Sequence, residues 1–165
     1  VGSEMCIRDR YVRRGAADAG IVGKDVLMED GEEDVYEVLD LGIGRCRMAV
    51  SGIKGNQKVM QKRILTVASK YPSIARKYFA DRFQPIDIIK LNGSIELAPI
   101  LGLSDVIVDI VETGTTLREN GLKVVTEFMP ISARFIANKA SYQFKHNEMD
   151  AMLEALRKTL QEETK

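Results

Sequence analysis

The segment DVIVDIVETGTTLRENGL (Asp105–Leu122) carries an acid, a glycine and three threonines at the point where an apolar run becomes a polar turn. The apolar run reads as a strand that delivers Asp109 near its end. Thr113, Gly114, Thr115 and Thr116 then form a turn that opens a helix, and Gly121 stops that helix. Gly114 permits close backbone approach, and successive N–H groups at such a turn can cradle a phosphate. Threonine hydroxyls add hydrogen bonds to phosphate oxygens, and a carboxylate a few residues upstream can accept from sugar hydroxyls. Together the parts suit a ribose 5-phosphate. A plain strand–turn–helix corner, with Thr113 as its N-cap, accounts for the same four residues when they are taken alone.

Immediately upstream, LNGSIELAPILGLSD (Leu91–Asp105) supplies an Asn92-Gly93-Ser94 turn and a helix with Glu96 in its first turn. Other reactive side chains read as structural. His146, the single histidine, precedes the final helix and is expected to be exposed. Cys46 lies within a strand as small filler, and Arg13 and Arg14 belong to a solvated helix face. The methionines of the last helix are assigned to its core face.

The elements that must position these residues alternate short apolar strands with amphipathic helices. Strands are expected at Ala19–Val22, Val35–Leu41, Arg45–Ser51, Ile64–Ala68, Ile86–Leu91, Asp105–Val111, Lys123–Phe128 and Ala133–Asn138. Helices follow Gly23, Pro72 and Ser94. In the last helix Met149, Met152, Leu153, Leu156 and Leu160 share one face, with Asn147 as its expected N-cap. This alternation predicts an α/β fold with mostly parallel sheets. Ligands in such sheets bind beyond the carboxyl ends of strands, which points to the residues after Val22, Leu91 and Val111.

Composition narrows the function classes. Lys plus Arg and Asp plus Glu both number 24, so the basic surplus typical of nucleic-acid binders is absent. No apolar run approaches the ~20 residues of a membrane span. Two cysteines without a CxxC spacing argue against a disulfide scaffold or structural zinc. A cytoplasmic location is expected. The opening VGSEMCIRDR (Val1–Arg10) has no hydrophobic period, and it can be back-translated into a transposase adaptor used for sequencing libraries. It is expected to be a non-native leader and is set apart from the fold.

Around the phosphate-type turn the chain resembles the ATP phosphoribosyltransferase family. Glu96, Gly102, Ser104, Ile107, Asp109, Ile110, Thr113, Gly114, Thr116 and Leu117 match its signature without a gap. YVRRGAADAGIVGKDVL, DVYEVLDLGIGRCRMAV and SARFIANKASY look like further parts of the same family, so the resemblance runs from Tyr11 to the C-terminus. It implies a two-lobed fold like that of type II periplasmic binding proteins. It also implies the first reaction of histidine biosynthesis, in which N1 of ATP attacks C1 of phosphoribosyl pyrophosphate and releases pyrophosphate with Mg²⁺ assistance. Thr113–Thr116 would hold the 5-phosphate, and Glu96 and Asp109 would contact the ribose or its metal, whose ligands stay unassigned. Asp18, Gly23 and Lys24, with Asn92, Gly93 and Ser94, would line the cleft on its nucleotide side.

The resemblance divides the chain into lobe I, residues 11–48 and 132–165, and lobe II, residues 49–131. Family members open with a β–α unit bearing a lysine–glycine–arginine segment that has no counterpart here. Roughly the first quarter of the chain is therefore expected to be missing, which would leave lobe I incomplete, expose strand edges and make these residues inactive alone. The end at Gln161–Lys165 resembles the short form, which works in a hetero-oligomer with a regulatory subunit similar to histidyl-tRNA synthetase. Two other functions are open to such a chain. One is a non-catalytic small-molecule-binding domain of the same fold, which has no need of the Glu96–Leu117 signature. The other is a type I phosphoribosyltransferase, which usually carries two adjacent acids where Asp109 is followed by Ile110.

Overall fold

The computed structural model describes residues 10–31 and 34–162. The leader segment therefore lies outside the described residues, except for Arg10. The chain divides into two compact units, one of residues 1–44 and 132–165 and the other of residues 45–131. The division falls after Gly44 rather than after residue 48, because Cys46–Ile53 is one continuous strand that belongs wholly to the second unit.

In the first unit β1 (Ala19–Gly23), β2 (Val35–Asp40) and β8 (Ala133–Asn138) form an antiparallel sheet in the order β1-β8-β2. The middle of the central strand β8, Phe135–Ala137, is apolar and buried because both its faces are covered. Ile136 packs with Val12, Val22, Leu27 and Val35 on one side, and Phe135 packs with Leu41 and Leu153 on the other. Helix α1 (Lys24–Asp30) follows β1, while α5 (Lys139–Phe144) and α6 (His146–Glu162) follow β8. Sequence periodicity missed α5. Its start is set by Asn138, whose Oδ1 accepts from the Ala140 and Ser141 N–H groups at 3.0 and 3.1 Å. Asn147, the expected cap of the last helix, instead sits inside its first turn. Met149 is buried there, but Met152 is 48% exposed, so only one of these two methionines is core. Arg13 does more than face solvent, since its guanidinium donates to the Asp30 and Gly31 carbonyls at the end of α1.

The second unit holds a five-stranded sheet of order β5-β4-β6-β3-β7. Its strands are β3 (Cys46–Ile53), β4 (Leu65–Ser69), β5 (Ile86–Lys90), β6 (Val106–Val111) and β7 (Leu122–Ile131). Helices α2 (Pro72–Ala80), α3 (Leu97–Ile100) and α4 (Thr115–Glu119) connect them. Strand β4 runs parallel to β5 and β6, whereas β3 runs antiparallel to β6 and β7. The expectation of mostly parallel sheets is thus corrected. The chain enters this unit along β3 and leaves along β7, and those two strands pair from Cys46 opposite Ile131, so they must run in opposite directions. Strand β7 runs past its expected end at Phe128 to Ile131 and includes Pro130, whose missing N–H is tolerated because β7 is an edge strand.

Candidate phosphate-binding turn and its surroundings

In the second unit β5 lies on one side of β4 and β6 on the other, so the connections from β4 to β5 and from β5 to β6 diverge. The crevice at the carboxyl ends of β4 and β6 is the topological switch point of the sheet. Ser69 closes this point from within. It is fully buried, its Oγ donates to the Val108 carbonyl at 2.6 Å, and it accepts from the Tyr71 N–H at 2.9 Å. One hydroxyl thereby ties the end of β4 to β6 and turns the chain into α2.

Side chains alternate along β6, so Ile107, Asp109 and Val111 share one face. Ile107 and Val111 belong to an apolar cluster that includes Ile95, Ala98 and Leu117, with Leu91 packed against it. That cluster is a common floor. Ile95 sits between Ser94 and Glu96, and Leu117 directly follows Thr116. The Asn92–Glu96 turn, Asp109 and the Thr113–Thr116 turn are therefore anchored to one patch of core. Asn92, Gly93 and Ser94 are exposed, and Glu96 and Asp109 are half-buried. The helix expected from Ser94 is shorter: α3 begins at Leu97, with Glu96 at its N-cap position. Asp109 Oδ1 accepts from the Ile110 N–H at 2.8 Å.

The turn itself is built on Gly114, which caps α4 at φ 72° and ψ 12°. In this left-handed region a Cβ meets its own backbone, and glycine avoids the cost. The cap is therefore Gly114, not Thr113. Thr113 instead places its Oγ1 3.0 Å from Thr115 Oγ1 and accepts from the Thr115 N–H at 3.4 Å. Two arginines hold this turn, and neither drew notice in the sequence. Arg47 donates from Nη1 to the Glu112 carbonyl at 2.8 Å, and Arg118 donates to Thr115 Oγ1 at 3.0 Å and to the Thr113 carbonyl at 3.4 Å. Arg118 was findable, because its place three residues after Thr115 puts both on one helical face. Arg47 was not, since it reaches Glu112 only through the pairing of β3 with β6, in which it stands opposite Val111.

The expected residues of the first unit do not gather at one point. Asp18 precedes β1 and Lys24 follows it, and a five-residue strand separates its ends by about 15 Å. Asp18 pairs with Lys145 at 2.7 Å, and hydrogen bonds from Lys145 and Ser141 hold its carboxyl below the usual range. The Lys24 ammonium meets Glu37, which Arg134 also contacts at 3.3 Å while reaching Asp40 at 2.8 Å. At Gly23 the Asp25 side chain folds back over the start of α1, so a Cβ there would stand 2.1 Å from Asp25 Oδ1 and the carboxylate would have to move. Among the described residues no helix is long and apolar enough to cross a membrane.

Known proteins resemble this chain in sequence and in fold. Residues 9–158 match the family model described as ATP phosphoribosyltransferase (HisG). A protein of Clostridioides difficile named ATP phosphoribosyltransferase is 56% identical over 143 residues, covering 87% of this chain and 68% of that protein. One from Lachnoclostridium phytofermentans with the same name is 51% identical over 154 residues, 92% of this chain and 71% of the relative. Among solved structures, the ATP phosphoribosyl transferase (HisG:HisZ) complex from Thermotoga maritima superposes with a TM-score of 0.82 at 35% identity, covering 93% of this chain and 75% of that one. A periplasmic sulfonate-binding protein from Methylobacillus flagellatus reaches a TM-score of 0.64 at 14% identity, covering 91% of this chain and 51% of that one, a likeness of fold alone. The fold is α/β and like that of periplasmic binding proteins.

Proposed function

Because this chain belongs to the ATP phosphoribosyltransferase family, we propose that the turn Thr113–Thr116 grips the 5-phosphate of phosphoribosyl pyrophosphate. The family is one of glycosyltransferases that act at the first step of histidine biosynthesis. In that step N1 of ATP forms a bond to C1 of the ribose as the bond from C1 to pyrophosphate breaks. Such a transfer needs little covalent help from protein. It needs alignment of the nucleophile and stabilisation of an oxocarbenium-like centre and the departing charge.

The observation that carries the reading is the shared floor. The same apolar cluster supports the Thr113–Thr116 turn, Asp109 and the Asn92–Glu96 turn, so a phosphate held by the first leaves a ribose beside the carboxylates. Thr113, Thr115 and Thr116 contribute hydroxyls and, with Gly114, backbone amides. Asp109 and Glu96 accept from ribose hydroxyls and offset positive charge growing at C1. Asn92, Gly93 and Ser94 bound the site on the nucleotide side.

Among the described residues no three His, Cys, Asp or Glu side chains group as a metal site. Mg²⁺ binds through one or two carboxylates together with substrate phosphates and water. Asp109 or Glu96 would supply the carboxylate, and the bound ion would offset charge on pyrophosphate. A regulatory subunit resembling histidyl-tRNA synthetase is the inferred partner, in line with the HisG:HisZ complex of Thermotoga maritima, and cytoplasm is the inferred compartment.

The test replaces both outer hydroxyls, Thr113→Ala with Thr116→Val, in the protein expressed from its complete gene. The KM for phosphoribosyl pyrophosphate should rise by about tenfold or more, since two hydrogen bonds to a charged group are lost, while the KM for ATP stays within about twofold. An unchanged KM for phosphoribosyl pyrophosphate would remove the turn from the substrate site.

A further inference from the structure

Two guanidinium groups grip the backbone of the turn from behind. Arg47, from the neighbouring strand β3, holds the Glu112 carbonyl at 2.8 Å. Its Nε lies 2.5 Å from Glu127 Oε1 on β7, the strand on the other side of β3. Arg118, from α4, reaches the next carbonyl, that of Thr113, and the Thr115 hydroxyl. The Arg118 amide also donates to the Gly114 carbonyl at 3.1 Å, so side chain and backbone of one residue fix three atoms of the turn.

The consequence follows from peptide geometry. In a planar trans peptide the carbonyl and the following N–H point in opposite directions. Holding the Glu112 carbonyl therefore aims the Thr113 N–H away from Arg47, and holding the Thr113 carbonyl aims the Gly114 N–H away from Arg118. Neither of those N–H groups donates to a described residue. A cation on a carbonyl also polarises the shared peptide and strengthens donation by its N–H. With an oxygen lone pair of Thr115 engaged by Arg118, the hydroxyl proton is directed onward, toward Thr113 Oγ1 or an incoming acceptor.

We propose that Arg47 and Arg118 are positioning residues of the phosphate turn: they clamp two successive carbonyls and so preset the Thr113 and Gly114 amides to receive the anion. The inference rests on the reading of Thr113–Thr116 as the 5-phosphate site. It assigns to the arginines an action through the backbone, without contact to the sugar phosphate.

The experiment uses ribose 5-phosphate as probe and the protein from its complete gene. Arg47→Gln and Arg118→Gln should each weaken its binding about fivefold, the scale of one ordinary hydrogen bond, because the arginines act on the anion only through the backbone. ATP affinity should stay within about twofold. Arg47→Lys should restore most of the loss, because a single donor suffices for one carbonyl. Arg118→Lys should restore less, because the Thr113 carbonyl and the Thr115 hydroxyl, which the guanidinium meets with two separate nitrogens, must then share one ammonium nitrogen. In ¹⁵N spectra the Thr113 and Gly114 amides should shift on adding ribose 5-phosphate in the wild type, and shift less in the Gln variants. Arg82→Gln, which removes a cation stacked 3.8 Å from the Tyr78 ring, is the charge control and should change nothing. Wild-type affinity in both Gln variants overturns the inference, as does equal loss of ATP and ribose 5-phosphate binding. If the Thr113→Ala, Thr116→Val variant also keeps its affinity, the 5-phosphate reading itself has failed. If only the arginine variants keep theirs, the clamp alone is wrong.

Discussion

Replacing Gly114 separates backbone conformation from side-chain size. At φ 72° and ψ 12° an added methyl would lie 3.7 Å from Val111 Cγ1 and 4.0 Å from Arg118 Nη1, ordinary contact distances. Space is therefore available, and the cost of Gly114→Ala is conformational, about 1–2 kcal/mol for a left-handed L-residue. A domain of this size would melt roughly 2–8 °C lower. Asparagine is larger, yet it tolerates the left-handed region, so Gly114→Asn should cost less than Gly114→Ala. If the turn relaxes toward negative φ to escape the strain, the 3.0 Å approach of the Thr113 and Thr115 hydroxyls opens. Affinity for phosphoribosyl pyrophosphate should then fall about fivefold for each kcal/mol of misplacement. Urea denaturation of the three proteins, with the KM for each substrate, provides the readout. Equal stability of the wild type and Gly114→Ala, or a greater loss for Asn than for Ala, would refute the reasoning by showing that size governs.

Other consequences are local. Ser69→Ala should lose about 1–3 kcal/mol, because the buried Tyr71 N–H loses its acceptor and the Val108 carbonyl a donor; denaturant midpoints measure it. Leu153→Ala, which empties the contact with Leu41 and Phe135, should cost about 2–5 kcal/mol in the same assay. At Asp105 burial works to raise the carboxyl, but the Lys62 hydrogen bond, the Thr66 N–H and the Lys62 charge together hold it below its ordinary value of 3.8. Its stabilising effect is complete above that value and is lost as pH falls through the lower folded one. Asp105→Asn should therefore flatten the stability–pH curve on the acid side, below about pH 4, with little change in its shape at neutral pH.

Much of the second unit could be read from sequence because its signals are local. Short stretches rich in branched apolar residues mark β4, β5 and β6, and the rule for parallel sheets points to the residues just beyond two of them. The details that escaped are those set by distant partners. Nothing near Arg47 tells that β3 will pair with β6 and bring its side chain to Glu112. Ser69 looks like an ordinary strand end until Val108 is placed beside it. Directions of β3 and β7 depend on where the chain enters and leaves the unit, which periodicity does not record. In the first unit the segment Asp18–Lys24 was read as a block, yet the extension of β1 parts its two charged ends, each of which has a partner of its own.

A crystal structure of the protein expressed from its complete gene, soaked with phosphoribosyl pyrophosphate, tests the central assignment most directly. The 5-phosphate is expected within about 3 Å of the amides and hydroxyls of Thr113–Thr116, with the ribose hydroxyls beside Asp109 and Glu96. Density for the sugar phosphate at any other place, with Thr113–Thr116 touching none of it, would contradict it.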